Sequence, residues 1–148
     1  MQTRNSFITH RAWFRAVVGE KELVLRHTSA LECLSFFAGY LHEKSIDVYA
    51  KEVGEHENIN YHVVDTFDGI DIVRVGGLLC TTASQTFNDM LSMYGTPDES
   101  DVDEQALVQG LSNYYFSNGE SFEGLHILPE NASQFDSLKE WAVEYYDD

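Results

Sequence analysis

The residue pattern predicts an α+β fold: a small sheet of three to four strands including a hairpin, covered by about five helices. Three observations carry that expectation. Apolar stripes at helical spacing occupy both ends of the chain, β-branched and aromatic runs occupy its middle, and no strand–helix alternation repeats. The 148 residues are enough for one such domain, 1–148, with a core of its own.

Taken in order, Thr9 is placed to cap a first helix with Trp13, Phe14 and Val17 at helical spacing and Gly19 as its stop. Residues 22–26 read as a short extended segment. Thr28 or Ser29 then opens a second helix with Leu31, Leu34 and Phe37 or Ala38 as its stripe, Glu32 near capping-box register and Gly39 at its end. Residues 46–50 form a short strand pattern. Two alternating runs, 59–64 and 70–75, flank Asp68-Gly69, a dipeptide that favours tight turns, and so predict a hairpin. Gly76-Gly77 breaks the second run, and residues 78–80 read as one further strand. Parallel pairing of the first strand with another stays open. Thr82 or Ser84 caps a third helix, with Phe87, Met90 and Leu91 inward and Asp89 on another face. The acidic stretch 95–102 reads as a loop, and Asp101 or Asp103 starts a fourth helix with Ala106, Leu107, Leu111 and Tyr114 or Tyr115 inward. Asn131 leads into a last helix striped by Phe135, Leu138, Trp141, Ala142 and Tyr145.

Composition narrows the function classes. Hydrophobic residues at 43% and aromatics at 13% fit a packed globule rather than a disordered chain. No apolar run reaches the roughly 18 residues of a membrane span, and the N-terminal segment lacks a secretory pattern. With Cys33 and Cys80 each inside an apolar stretch, two buried thiols in a reducing cytoplasmic setting are expected. The net charge is −16, and it is uneven. Residues 1–28 carry five basic and two acidic side chains, whereas residues 95–148 carry thirteen acids and one base, Lys139. Such a field opposes nucleic-acid binding by the main body and favours a basic partner.

Motifs for chemistry are absent or incomplete. No phosphate-cradling GxxxxGK[ST] or GxGxxG loop, no GxSxG and no HExxH occurs. A metal-dependent nuclease needs an acid two residues before its lysine, yet Tyr49 stands two before Lys51, so Asp47 and Lys51 are at most remnants of such a site. Asp101-Val-Asp103 has the carboxylate spacing of a nucleotidyltransferase without its Gly-Ser turn. Asp65, Asp68 and Asp71 follow no calcium-loop spacing, and His56 and His62 no zinc spacing. Catalytic residues, metal ligands and cofactors are therefore assigned to none. The polar run 51–58, the aromatics Tyr114, Tyr115 and Phe116, and the tail residues Trp141, Tyr145 and Tyr146 offer contact groups.

Two segments carry a family resemblance. Residues 25–34, LRHTSALECL, resemble the helix start of the AbiEi family of type IV antitoxins, abortive-infection proteins paired with a nucleotidyltransferase-like toxin. Residues 77–91, GLLCTTASQTFNDML, resemble that family's strand-to-helix element, with Thr81 or Thr82, Thr86, Asp89 and Leu91 in the matching places. The likeness spans about residues 22–94 and leaves no room for the family's N-terminal winged helix-turn-helix. It implies a non-enzymatic antitoxin or regulator that counters its cognate toxin functionally, without necessarily holding it, and the lack of the winged helix-turn-helix argues against DNA binding. Arg26, His27, Ser29, Thr82, Thr86 and Asp89 are the candidate binding residues. Two other readings remain: an acidic module that docks a basic partner, and a degenerate metal-dependent nuclease.

Overall fold

The computed structural model describes residue 18 and residues 22–37, 46–94 and 104–144. The expected helix around Trp13, the stop at Gly39, the segment 95–103 with its candidate caps, and Tyr145 and Tyr146 lie outside the described residues.

Five strands form one mixed sheet, ordered β3-β2-β1-β5-β4. They are β1 (Val24–Leu25), β2 (Ile46–Ala50), β3 (Ile59–Val63), β4 (Ile72–Val75) and β5 (Leu78–Thr81). The sheet exceeds the expected three to four strands because two-residue β1, too short to show a period, sits at its centre. It pairs antiparallel with β2 and parallel with β5. Four helices are described rather than about five: α1 (His27–Cys33), α2 (Ala83–Met93), α3 (Glu104–Ser117) and α4 (Ala132–Glu144), the last preceded by the 3-10 turn Pro129–Asn131. Among the described residues no helix is long and apolar enough to cross a membrane.

The hairpin is displaced from its expected place. β3 and β4 are not partners but the two opposite edges of the sheet, and the chain turns back instead between β4 and β5, with Val75 opposite Leu78. Turn chemistry explains the difference. Gly76 (φ 56) and Gly77 (φ 84) supply two successive left-handed residues, the requirement of a two-residue type I′ turn whose twist matches the strands. At Phe67–Ile70 only Gly69 has positive φ, at the third position of a turn closed by Ile70 N–H to Phe67 C=O (3.1 Å). That is type II geometry, which splays flanking strands.

β2 and β3 run parallel as neighbours although only residues 51–58 connect them. So short a crossover holds because the link folds back on itself. Ile46 N–H donates to Asn58 C=O (2.7 Å), Asn58 N–H to His56 Nδ1 (3.0 Å), and His56 N–H to the Tyr61 hydroxyl (3.3 Å). Gly54 lies against the Tyr61 ring so closely that a Cβ there would overlap it.

The core has two parts joined by α1. Ala30 and Cys33 pack with Leu25, Ile46, Val48, Ile59 and Cys80 on one face of the sheet. Leu31 packs instead with Phe87, Met90, Leu91, Leu107, Leu111 and Leu138, where the helices meet. Burial of this kind contributes roughly 1.5–3 kcal/mol per large apolar side chain. α1 begins one residue before its expected caps, at His27, and no side chain caps it. It ends well short of Gly39. Ser35 turns left-handed (φ 72), its N–H donates to Glu32 C=O, and Phe36 N–H donates to Leu31 C=O, a Schellman closure. Thr82 caps α2 as expected, accepting from Gln85 N–H. On α4 only Leu138 and Ala142 are buried, and Trp141, expected inward, is 48% exposed. Cys33 and Cys80 are both buried.

The turn assignment is testable. Gly77→Ala should cost about 1–2 kcal/mol, the penalty of a left-handed L-residue, read as a lower urea midpoint at constant slope. An unchanged midpoint would contradict the type I′ turn.

Candidate functional site

The alternation of side chains along paired strands places a row of polar groups on one face of the sheet. Tyr49 on β2 is opposite Val24 on β1 and His62 on β3, and Asp47 is opposite Asn60. Arg26 continues β1 beside Asp47, its N–H donating to Asp47 C=O (2.9 Å). A cavity of about 480 Å³ opens there, lined by Arg26, His27, Asp47, Asn60, His62 and Met93 among others.

α2 closes one side of this site. The Tyr49 hydroxyl donates to Asp89 Oδ2 (2.7 Å), and Gln85 Nε2 donates to Asp89 Oδ1 (2.9 Å). Gln85 and Asp89 are one helical turn apart, so both project from the same face of α2. The Arg26 guanidinium lies over the Tyr49 ring, 4.6 Å from its centre, and the His62 ring meets Tyr49 edge-on at 5.3 Å. Arg26 Nη2 lies 2.8 Å from His27 Nε2. An arginine can only donate, so His27 Nε2 accepts and its proton sits on Nδ1. His27 itself is held at φ 50, a left-handed conformation uncommon outside glycine.

Electrostatics follow from this crowding. Burial, then the neighbouring charges of Arg26 and His62, push His27 down to about 3, so its imidazole is neutral. Burial, then Arg26, lower His62 as well. Burial, then the hydrogen bond to Asp89, push Tyr49 up to about 12. Burial raises Asp89, against the hydrogen bonds from Tyr49 and Gln85 and the charges of Arg26 and His62. Several shifted groups around one cavity mark a binding or reactive site better than any one of them alone.

The six candidate residues divide. Arg26 and His27 line the cavity, and Asp89 is joined to Arg26 through the Tyr49 side chain. Ser29 is buried and its Oγ accepts from Asp47 N–H (2.9 Å), tying α1 to β2. Thr86 is buried, with its Oγ donating to Thr82 C=O (2.7 Å) and sharing a hydrogen bond with Thr81 Oγ1 (2.6 Å). Thr82 caps α2 and its Oγ1 donates to Asp71 Oδ2 (3.2 Å). These three hold elements together rather than face the cavity. Tyr49, Asn60, His62 and Gln85 belong to no binding motif in the sequence. For Tyr49, Asn60 and His62 the signal is period-two alternation, which becomes a site once the parallel β2–β3 register is known; for Gln85 it is the four-residue spacing to Asp89.

Asp47 and Lys51 are not brought together. Asp47 Oδ1 accepts from Asn60 Nδ2 (3.1 Å) in this cavity, while Lys51 pairs with Glu22 (3.0 Å) in a second one of about 700 Å³. Among the described residues no group of three or more His, Cys, Asp and Glu side chains is arranged to hold a metal ion. Compared with known proteins, the chain matches no protein-family model and no curated protein.

His27 makes the fold acid-sensitive. The unfolded imidazole takes its proton near 6.5 and the folded one only at about 3, so between these values the unfolded chain binds more protons. Its contribution is absent above 6.5 and grows as pH falls towards 3, destabilising by up to about 1.4 kcal/mol per pH unit. His27→Asn, which keeps a residue tolerant of left-handed backbone, should flatten the stability profile across that window, measured by urea unfolding. Parallel profiles would contradict a buried neutral His27.

Proposed function

We propose that this chain is a non-enzymatic, antitoxin-like regulatory protein that counters a nucleotidyltransferase-like toxin, with the cavity lined by Arg26 and His27, and the Tyr49–Asp89 pair beside it, as its working site. One observation supports the reading above others. The two segments that resemble type IV antitoxins, 25–34 and 77–91, are distant in sequence, yet Arg26 of one and Asp89 of the other meet on the same Tyr49 side chain, beside the cavity that Arg26 and His27 line. Helix starts that resembled the family only through capping chemistry would have no reason to converge on one side chain. A cytoplasmic setting belongs to the same reading.

The site reads as binding rather than catalytic. The Tyr49 hydroxyl is held protonated and committed to Asp89, and both thiols are buried in the sheet core with Leu25 and Val48. An acidic module for a basic partner is the alternative. It draws support from α4, where Asp136, Glu140 and Glu144 share an exposed surface with Trp141. That reading predicts association that weakens steeply with salt. Magnesium-dependent cleavage lost on Asp47→Ala would be needed to sustain the nuclease reading.

Co-expression with the neighbouring reading frame is the direct test. The neighbour should arrest growth, this chain should restore it, and Arg26→Gln or Asp89→Ala should reduce the rescue at equal soluble expression. A harmless neighbour, or arrest that persists with the wild-type chain soluble, would defeat the antitoxin reading.

A further inference from the structure

We infer that the Arg26 cavity binds a small organic oxyanion, a phosphate monoester or a carboxylate, with the Arg26 guanidinium as its counter-ion. The inference rests on reading the cavity as a binding site, and not on the identity of any toxin.

The first argument is a cation that, among the described residues, has no carboxylate in direct contact where acids are abundant. The chain holds 25 acidic and nine Lys or Arg side chains, yet among the described residues no carboxylate forms an ion pair with Arg26. The two nearby acids are engaged elsewhere: Asp89 takes Tyr49 on one oxygen and Gln85 on the other, and Asp47 takes Asn60. Arg26 is half-buried, and its Nε is sealed from solvent without a hydrogen-bond partner. A guanidinium so placed is only partly compensated for lost hydration: the Asp89 carboxylate attracts it through space, but among the described residues no carboxylate meets its fork directly. Its polar partners are neutral: His27 Nε2 at 2.8 Å from Nη2, and the Tyr49 hydroxyl.

The second argument is preorganisation. Stacking on Tyr49 fixes the guanidinium plane, and a planar fork matches the geometry of carboxylate and phosphate oxygens. Two imidazoles beside it, each with its basicity lowered, can donate or accept without adding a competing charge.

Size is the third. About 480 Å³ exceeds the need of a bare inorganic ion and lies within the range of small-molecule sites. Met93 and His62 line part of the remainder, surfaces suited to the organic body that carries the anion.

The test is an NMR titration of the full chain with inorganic phosphate, with acetate and with chloride at constant ionic strength, read on the His27 and His62 ring signals. Saturable shifts with phosphate or acetate but not chloride are expected, and the stronger of the two identifies the class. At saturation the His62 titration midpoint should move up, because a bound anion offsets Arg26. Arg26→Gln should weaken binding about tenfold or more. If that variant fails to fold, His62→Ala, on an exposed edge position, should weaken it several-fold. No saturable shift with either oxyanion, an equal response to chloride, or undiminished binding in the variants would overturn the inference. Growth rescue without anion binding would overturn it while leaving the antitoxin reading intact, and anion binding without rescue would do the reverse.

Discussion

The hydrogen bond from Tyr49 to Asp89 ties α2 to a sheet whose centre is only two residues long. Everything at the site depends on it. Tyr49 is 7% exposed and raised to about 12, so its hydroxyl remains a donor across the ordinary pH range. Asp89 is half-buried, and without that donor and Gln85 it would be a carboxylate taken from water with nothing in return. The same ring carries the Arg26 guanidinium on its face and His62 at its edge. Moving Tyr49 would therefore disturb the anchor of a helix, the seat of a cation and the wall of a cavity together.

A second polar knot does comparable work on the far side of α2. Buried Asn88 donates to Ser84 C=O and His126 C=O and accepts from Leu128 N–H, while Asn131 Nδ2 reaches Asn88 Oδ1 (3.0 Å). The stretch before α4 has little regular structure, so its backbone groups need partners from side chains. One asparagine supplies several. α2 is thus held by Asp89 to the sheet and by Asn88 to the segment leading into α4, and its apolar face enters the helical core through Phe87, Met90 and Leu91.

Much of this was legible in the sequence where local chemistry decides structure. The Thr82 cap, the inward stripe of α2, the strand at 46–50 and the burial of Ala106, Leu107 and Leu111 all follow from spacing and capping. Legibility failed where two candidates compete or where distant pairing decides. Asp68-Gly69 and Gly76-Gly77 both read as turns, and only the requirement for two left-handed residues separates them. Trp141 fits a helical stripe, but only Leu138 and Ala142 on its helix are buried. The site itself was half visible. Arg26, His27 and Asp89 could be named, whereas Tyr49 and Asn60 acquire a role only through a strand register that no local pattern encodes.

A double-mutant cycle on Tyr49→Phe and Asp89→Ala tests this arrangement most directly, with stability measured by urea unfolding. If the pair couples sheet to helix, the two losses will fall short of additivity by about 1 kcal/mol or more, since the second substitution removes a bond already broken. Additive losses would mean that each side chain acts alone, and the cavity could not then be treated as one coupled site.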